Sequence, residues 1–266
     1  MGVRFQFRSI CPSADSNITS HKMSLSSNSI FHLTSSKDSL RGILESNFKI
    51  KYCLETIDFG SAASEIRVPM VSFCDIPLSE IKEHISKYGE YGIGLTKEWA
   101  EKNKLNPVLY VARNSNLATS YTKALHDFVL SDTSCEADES DHALTDVLRY
   151  IKNYQGDLNR KGKISKDYRF SDEREWRYVP PFETKCDMLV GEDYYASNAS
   201  QVDAPIRDLR LSFEPNDIRY IIIRDESEIT EFVNLLRYAK GNKYSHNDVE
   251  RLTTRLLTTE QIKGDI

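Results

Sequence analysis

Ser171-Asp-Glu-Arg-Glu-Trp-Arg-Tyr-Val-Pro180 sets two glutamates at alternate positions just ahead of an aromatic and β-branched run. Side chains alternate between faces in an extended chain. A strand over Glu173 to Val179 therefore puts Glu173, Glu175 and Arg177 on one face and Arg174, Trp176 and Tyr178 on the other. The acidic face reads as a site and the aromatic face as packing. Two such glutamates stand about 6.6 Å apart along a strand, near enough to serve one ligand and too far to share a proton. The competing reading is an edge strand whose charges are solvated, with Glu175 paired to Arg177.

A second polar group lies far upstream, in Ile30-Phe-His-Leu-Thr-Ser35. There His32 interrupts an apolar run, Thr34 shares its face, and Thr34-Ser35-Ser36 can cap a helix with Leu40, Ile43, Leu44 and Phe48 at helical spacing. A lone histidine among apolar neighbours is by default a satisfied core residue, and becomes a ligand donor only if partners converge on it. Val68 to Cys74 reads as a buried strand, with Asp75 at its mouth either as a site residue or as the cap of the helix that begins near Pro77. Tyr88 and Tyr91, set among Gly89, Gly92 and Gly94, make either a stacking wall where backbone approaches a ring or a plain turn.

Further strands are expected at the end of Tyr88 to Leu95, at Pro107 to Val111, Leu209 to Phe213 and Ile218 to Ile223, with a helix after the last carrying Ile229, Phe232 and Leu236. Helical patterns at 117–130 and 143–154 flank an acidic loop, Ser131 to Asp141, and read as a helical insertion over about 117–158. The basic run Asn159 to Lys166 reads as a loop, solvated or facing an anionic partner, and the last twenty residues as a small helical tail. The order of these elements gives an α+β protein: a mixed, mainly antiparallel sheet with flanking helices and a helical insertion. Residues 1–22 are a polar extension ahead of one domain over 23–266.

In 266 residues, 39% hydrophobic and 10% aromatic, there is material for a substantial core. A net charge of −5 and a pI near 5.8 exclude general coating of nucleic acid, so any such partner needs a local basic patch. Five cysteines without a C-x-x-C pair suit reduced thiols, and Cys74 reads as a small buried hydrophobe. His21, His84, His126, His142 and His246 show no metal-ligand spacing, so no metal and no role is expected for them. No phosphate-binding glycine loop is present, and no apolar run approaches the ~20 residues of a membrane span; the expected location is the cytoplasm.

Ile30-Phe-His-Leu-Thr34, Val68 to Ser79, Tyr88 to Leu95, Asn106 to Tyr110 and Glu173 to Val179 resemble the AbiGi family of abortive phage-infection proteins, over roughly residue 25 to the C-terminus. That resemblance implies a role in phage defence, with a member treated as the antitoxin-like partner of a nucleotidyltransferase-like toxin. More distantly, a His-x-Thr on the first strand and a Glu-x-Glu before an aromatic strand look like the DarT-type ADP-ribosyltransferases, which use NAD to modify DNA. The likeness implies an ADP-ribosyltransferase-like fold, NAD as substrate, and His32, with Thr34 beside it, on the adenosine ribose. By the same likeness Glu175 is the catalytic glutamate, Glu173 acts on the acceptor, and Tyr88 or Tyr91 lies near the nicotinamide. A carboxylate facing the developing oxocarbenium charge would stabilise that transition state.

Two functions therefore compete. One is an NAD-dependent effector acting on a nucleic-acid or protein acceptor. The other is a non-catalytic antitoxin-like or sensor module on a degenerate form of the same fold, bound to a toxin partner or a phage product. A nuclease, needing clustered metal-binding carboxylates from Asp75, Glu173 and Glu175, ranks last.

Overall fold

Strand β1 (Ser29–Thr34) gives way to helix α1 (Lys37–Ser46) at Ser36, whose hydroxyl accepts the Ser39 amide as an N-cap. In the computed structural model the described residues are 27–60, 63–130, 139–160 and 163–265. The polar extension 1–22 and most of the acidic loop lie outside them. After α1 come β2 (Phe48–Lys49), β3 (Lys51–Asp58), β4 (Ala63–Cys74), α2 (Ile81–Tyr88), β5 (Tyr91–Thr96), α3 (Lys97–Lys102), β6 (Asn106–Pro107) and β7 (Leu109–Val111). The middle of the chain holds α4 (Asn116–Leu130), α5 (Glu139–Tyr150), β8 (Ile151–Asn153), β9 (Gln155–Arg160), β10 (Lys163–Arg169) and β11 (Glu175–Tyr178). The last part holds β12 (Val190–Gly191), α6 (Glu192–Asp203), β13 (Arg210–Leu211), β14 (Ile218–Ile223), α7 (Ile229–Gly241), α8 (His246–Thr253), β15 (Leu256–Thr258) and α9 (Thr259–Asp265).

The main sheet runs β15-β14-β5-β1-β4-β11-β6 and is antiparallel except for the β14/β15 pair. Strand β4 is long enough to serve two neighbourhoods. Its first part pairs with β3 and β12, and its last four residues pair with β11. One face of the sheet buries Ile30, Phe73, Ile93 and Leu95 against α1, α3 and α7, together with Trp99 of α3, Phe48 and Phe213. The other face packs Phe31, Ile222 and the half-buried Cys74 against Ile81 and Ile85 of α2 and Ile262 of α9.

Two glycines show why the Tyr-Gly alternation exists. Gly89 adopts φ +125° at the end of α2, where a Cβ would fall 2.3–2.4 Å from the backbone of Ser35, so this position is a turn that only glycine makes easily. Gly94 lies under the stacked rings of Phe31 and Tyr220, and a Cβ there would come within 2.8 Å of Phe31.

Several boundaries differ from expectation. The acidic strand begins at Glu175, because residues 170–173 form a 3-10 turn closed by Arg174 in the left-handed conformation. The helical segment stops at Tyr150, and 151–160 is extended, pairing with β7 and β10. The described residues of the basic run, 159–160 and 163–166, lie on the paired strands β9 and β10 rather than in a loop, with Lys166 bonded to Asp157. The C-terminal tail contributes the short parallel strand β15 between its two helices.

Candidate functional site

Phe31 and Glu175 both stand directly opposite Cys74 of β4, one on each side of that strand. Directly paired residues share a face, so Glu175 and, two residues on, Arg177 project from the Phe31 face, while Trp176 and Tyr178 pack into the main core. Here the expected alternation holds from Glu175 onward. Glu173 reaches the same region by the 3-10 turn instead of by strand periodicity.

These residues lie in or beside a cleft of about 1140 Å³ walled by Phe31, His32, Cys74, His84, Tyr88, Phe170 and residues of β3, β8 and β9. At its floor is a cluster of charges. Arg177, fully buried, donates from Nε to Glu175 Oε1 (3.0 Å), from Nη2 to Glu55 Oε1 (3.1 Å) and from Nη1 to the Arg149 carbonyl (2.6 Å). Lys152 Nζ donates to the other oxygen of Glu175 at 2.7 Å and stands 3.7 Å from Glu173 and 3.9 Å from Glu55. The Glu175 amide donates to the Tyr110 hydroxyl at 2.8 Å, which fixes the strand at this point. Glu173 accepts from the Tyr88 hydroxyl, and the Tyr88 ring stacks on His84 with centroids 5.9 Å apart and planes 6° from parallel.

The two glutamates are driven in opposite directions. Burial would raise Glu175, but the adjacent Arg177 and Lys152 cations overrule it and hold its pKa down at about 2. Glu173 is pushed up to about 8 by burial and by the charges of Glu175 and Glu55. At neutral pH the site therefore holds one carboxylate anion beside one carboxylic acid, the arrangement that separates acid from base roles in many clefts. His84 is buried, both its ring nitrogens lack a hydrogen-bond partner, and burial lowers its pKa to about 4.

Sequence reasoning brought Glu173, Glu175 and Tyr88 to the cleft, and His32 lines it too. His32 is nevertheless held from the opposite face of the sheet. Its ring packs edge-on to Phe48 and Phe73, and Nδ1 donates to the Ser72 carbonyl at 2.9 Å, which leaves Nε2 as the acceptor; burial lowers its pKa. Thr34 accepts the Ser36 amide at the start of α1. Tyr91 is buried with its hydroxyl on Glu228 (2.9 Å). Asp75 meets Lys97 (2.7 Å) and the Ser27 amide instead of capping the helical turn at Leu78, which has no side-chain cap. None of these three lines the cleft. Glu55, Lys152 and His84 went unassigned. In Lys51-Tyr-Cys-Leu-Glu-Thr-Ile-Asp58 polar Glu55 and Thr56 are adjacent, so no period-2 alternation marked Glu55 as a site residue.

Overall the cleft is acidic: Glu55, Asp58, Glu65, Asp157, Asp167, Glu173 and Glu175 line it against Arg113 and Lys152. Among the described residues no group of three or more His, Cys, Asp or Glu is arranged to hold a metal ion. No described helix is long and apolar enough to cross a membrane.

Fold and site thus define an α+β protein with a mainly antiparallel sheet and a buried, charge-rich cleft. A family model described as "Putative abortive phage resistance protein AbiGi, antitoxin" matches residues 46–224, a stretch that contains every member of the charge cluster and leaves out His32. This chain belongs to the AbiGi family. It is 26% identical over 251 residues to the abortive phage resistance protein AbiGi of Lactococcus lactis subsp. cremoris, covering 82% of this chain and 99% of that protein. No solved structure matches the chain.

Proposed function

We propose that this chain serves abortive phage resistance as an antitoxin-like binding module whose acidic cleft receives a cationic surface of a toxin partner. The observation that carries this reading is the charge of the cleft, seven carboxyl groups, with Glu173 among them as an uncharged acid, against Arg113 and Lys152 in its lining. A low-dielectric cleft of one sign concentrates ligands of the other and repels a pyrophosphate. Glu175 supports the same reading: both of its oxygens are occupied by Arg177 and Lys152, and two fixed cations beside it oppose a developing positive charge. The word antitoxin in the family description supports this role and this class of partner.

Co-expression with the product of the neighbouring gene, followed by affinity capture and size-exclusion chromatography, tests it. A stoichiometric complex that weakens as salt is raised is expected; failure to form any complex would remove the reading.

The second reading is an NAD-dependent ADP-ribosyltransferase-like enzyme, favoured by the opposed protonation of Glu173 and Glu175 at neutral pH. Here Glu173, the acid not clamped by cations at hydrogen-bond distance, is better placed than Glu175 to exchange a proton with substrate. Calorimetric titration with NAD separates the two readings. A saturable isotherm that Glu175→Gln abolishes would favour the enzyme, and no heat would favour the module.

A further inference from the structure

Arg177 pairs with Glu175 and Glu55 and Lys152 with Glu175, while Glu173 is left with Lys152 at 3.7 Å and the field of Lys87 and keeps its proton at neutral pH. Tyr88, which donates its hydroxyl to that carboxyl, stacks on His84, which is about nine-tenths buried and lines the cleft with both ring nitrogens unsatisfied. A buried polar atom without a partner is disfavoured, so two of them in one ring offer a ligand hydrogen bonds that the fold leaves unmade.

We infer that the floor of the cleft, at Glu173, His84 and Tyr88, is a receptor for an arginine side chain carried on a partner polypeptide. This rests on the proposed docking of a cationic partner and names the group that docks. A guanidinium placed beside Glu173 lets that carboxyl release its proton to solvent and pair with it, and has donors to spare. Its planar, weakly hydrated head packs on aromatic surface, which Tyr88 and Phe170 provide in the cleft wall. A lysine ammonium is more strongly hydrated and has no flat face to offer. The neutral imidazole of His84 has one acceptor and one donor nitrogen, so the guanidinium satisfies the first and a backbone carbonyl of the same segment satisfies the second. A bare cation would leave the donor orphaned. That requirement favours a peptide-borne arginine over an inorganic ion.

The experiment titrates the full chain with acetyl-Gly-Arg-Gly-amide, its lysine analogue and its uncharged citrulline analogue, by calorimetry and by NMR shifts of the His84 ring. The arginine peptide should bind at least tenfold more tightly than the lysine peptide, shift the His84 resonances, and leave citrulline without measurable binding. In Glu173→Gln, checked for a native circular dichroism spectrum, its affinity should fall at least tenfold. Equal binding of the arginine and lysine peptides to the wild-type chain, or arginine binding that leaves the His84 resonances unmoved, would overturn the inference without recourse to any variant. A toxin complex that the arginine peptide does not displace and that Glu173→Gln does not weaken would sink this site while leaving the docking reading intact. Arginine binding in the absence of any complex would do the reverse.

Discussion

His32 of β1 and Glu175 of β11 flank the same strand but project from opposite faces of it. The register decides this, since Phe31 and Glu175 both pair with Cys74 and His32 is one residue off that line. His32 is consequently wedged among aromatic rings, with one nitrogen tied to the backbone of β4.

His32→Ala should therefore act mainly on stability. It removes the edge contacts to Phe48 and Phe73 and strands the Ser72 carbonyl, and a loss of about 2–3 kcal/mol is expected in urea denaturation. A loss below about 0.5 kcal/mol would show that the ring is not part of the packing.

Arg177→Met should be among the most damaging single changes in the chain. It leaves Glu175 with Lys152 alone and Glu55 without its close partner, and breaking one side of a buried pair costs about 3–5 kcal/mol. Adding Glu175→Gln removes the charge that was left uncompensated. The double variant should then lose about 1–3 kcal/mol less than the sum of the two single changes, a coupling that a double-mutant cycle measures directly.

His84→Phe should stabilise the protein while weakening the cleft. Phenylalanine keeps the stack on Tyr88 and removes two unsatisfied nitrogens, a gain of about 1 kcal/mol at pH 7. The sign of the pH effect follows from the lowered pKa. His84 stays neutral in the fold down to about 4 whereas the unfolded chain protonates near 6.5, so the wild type loses stability as pH falls from about 6.5 to 4. The variant should lose less over that window, as followed by thermal melts.

Much of this was legible in the chain. The strand from Glu175 onward, the buried strand before Asp75 and the capped helix after Thr34 declared themselves through period-2 alternation, apolar runs and capping residues, whereas the 3-10 turn that carries Glu173 did not. The missing parts share a cause. Glu55 adjoins polar Thr56, which breaks the alternation of β3, and Lys152 follows directly on a helical pattern that hides the change of period at Tyr150. The facing of His32 depends on register between strands some 40 residues apart in sequence, which no local pattern carries. His84 looked like one more position on an amphipathic helix, because an unsatisfied nitrogen exists only once the helix is packed.

Glu173→Gln should reverse a pH slope. The pKa of Glu173 rises from its ordinary value near 4.5 to about 8 in the fold, so between those limits the native state holds a proton that the unfolded chain has lost. Its contribution to stability is full below about pH 4.5, declines as pH rises and levels off above about 8. Glu175 runs the other way, with its pKa lowered to about 2, so its contribution is full above about 4.5 and fades only as pH falls towards 2. Across pH 5 to 8 the glutamate at 173 thus works against the wild type while the one at 175 is silent. Glutamine keeps the shape and the uncharged state, so the stability of the variant relative to wild type should climb by roughly 2–4 kcal/mol over that window and then flatten. Urea denaturation of both proteins at half-unit intervals of pH reads this difference directly. A difference that stays level from pH 5 to 8 would mean that Glu173 is ionised in the fold throughout, and that a cation already reaches it.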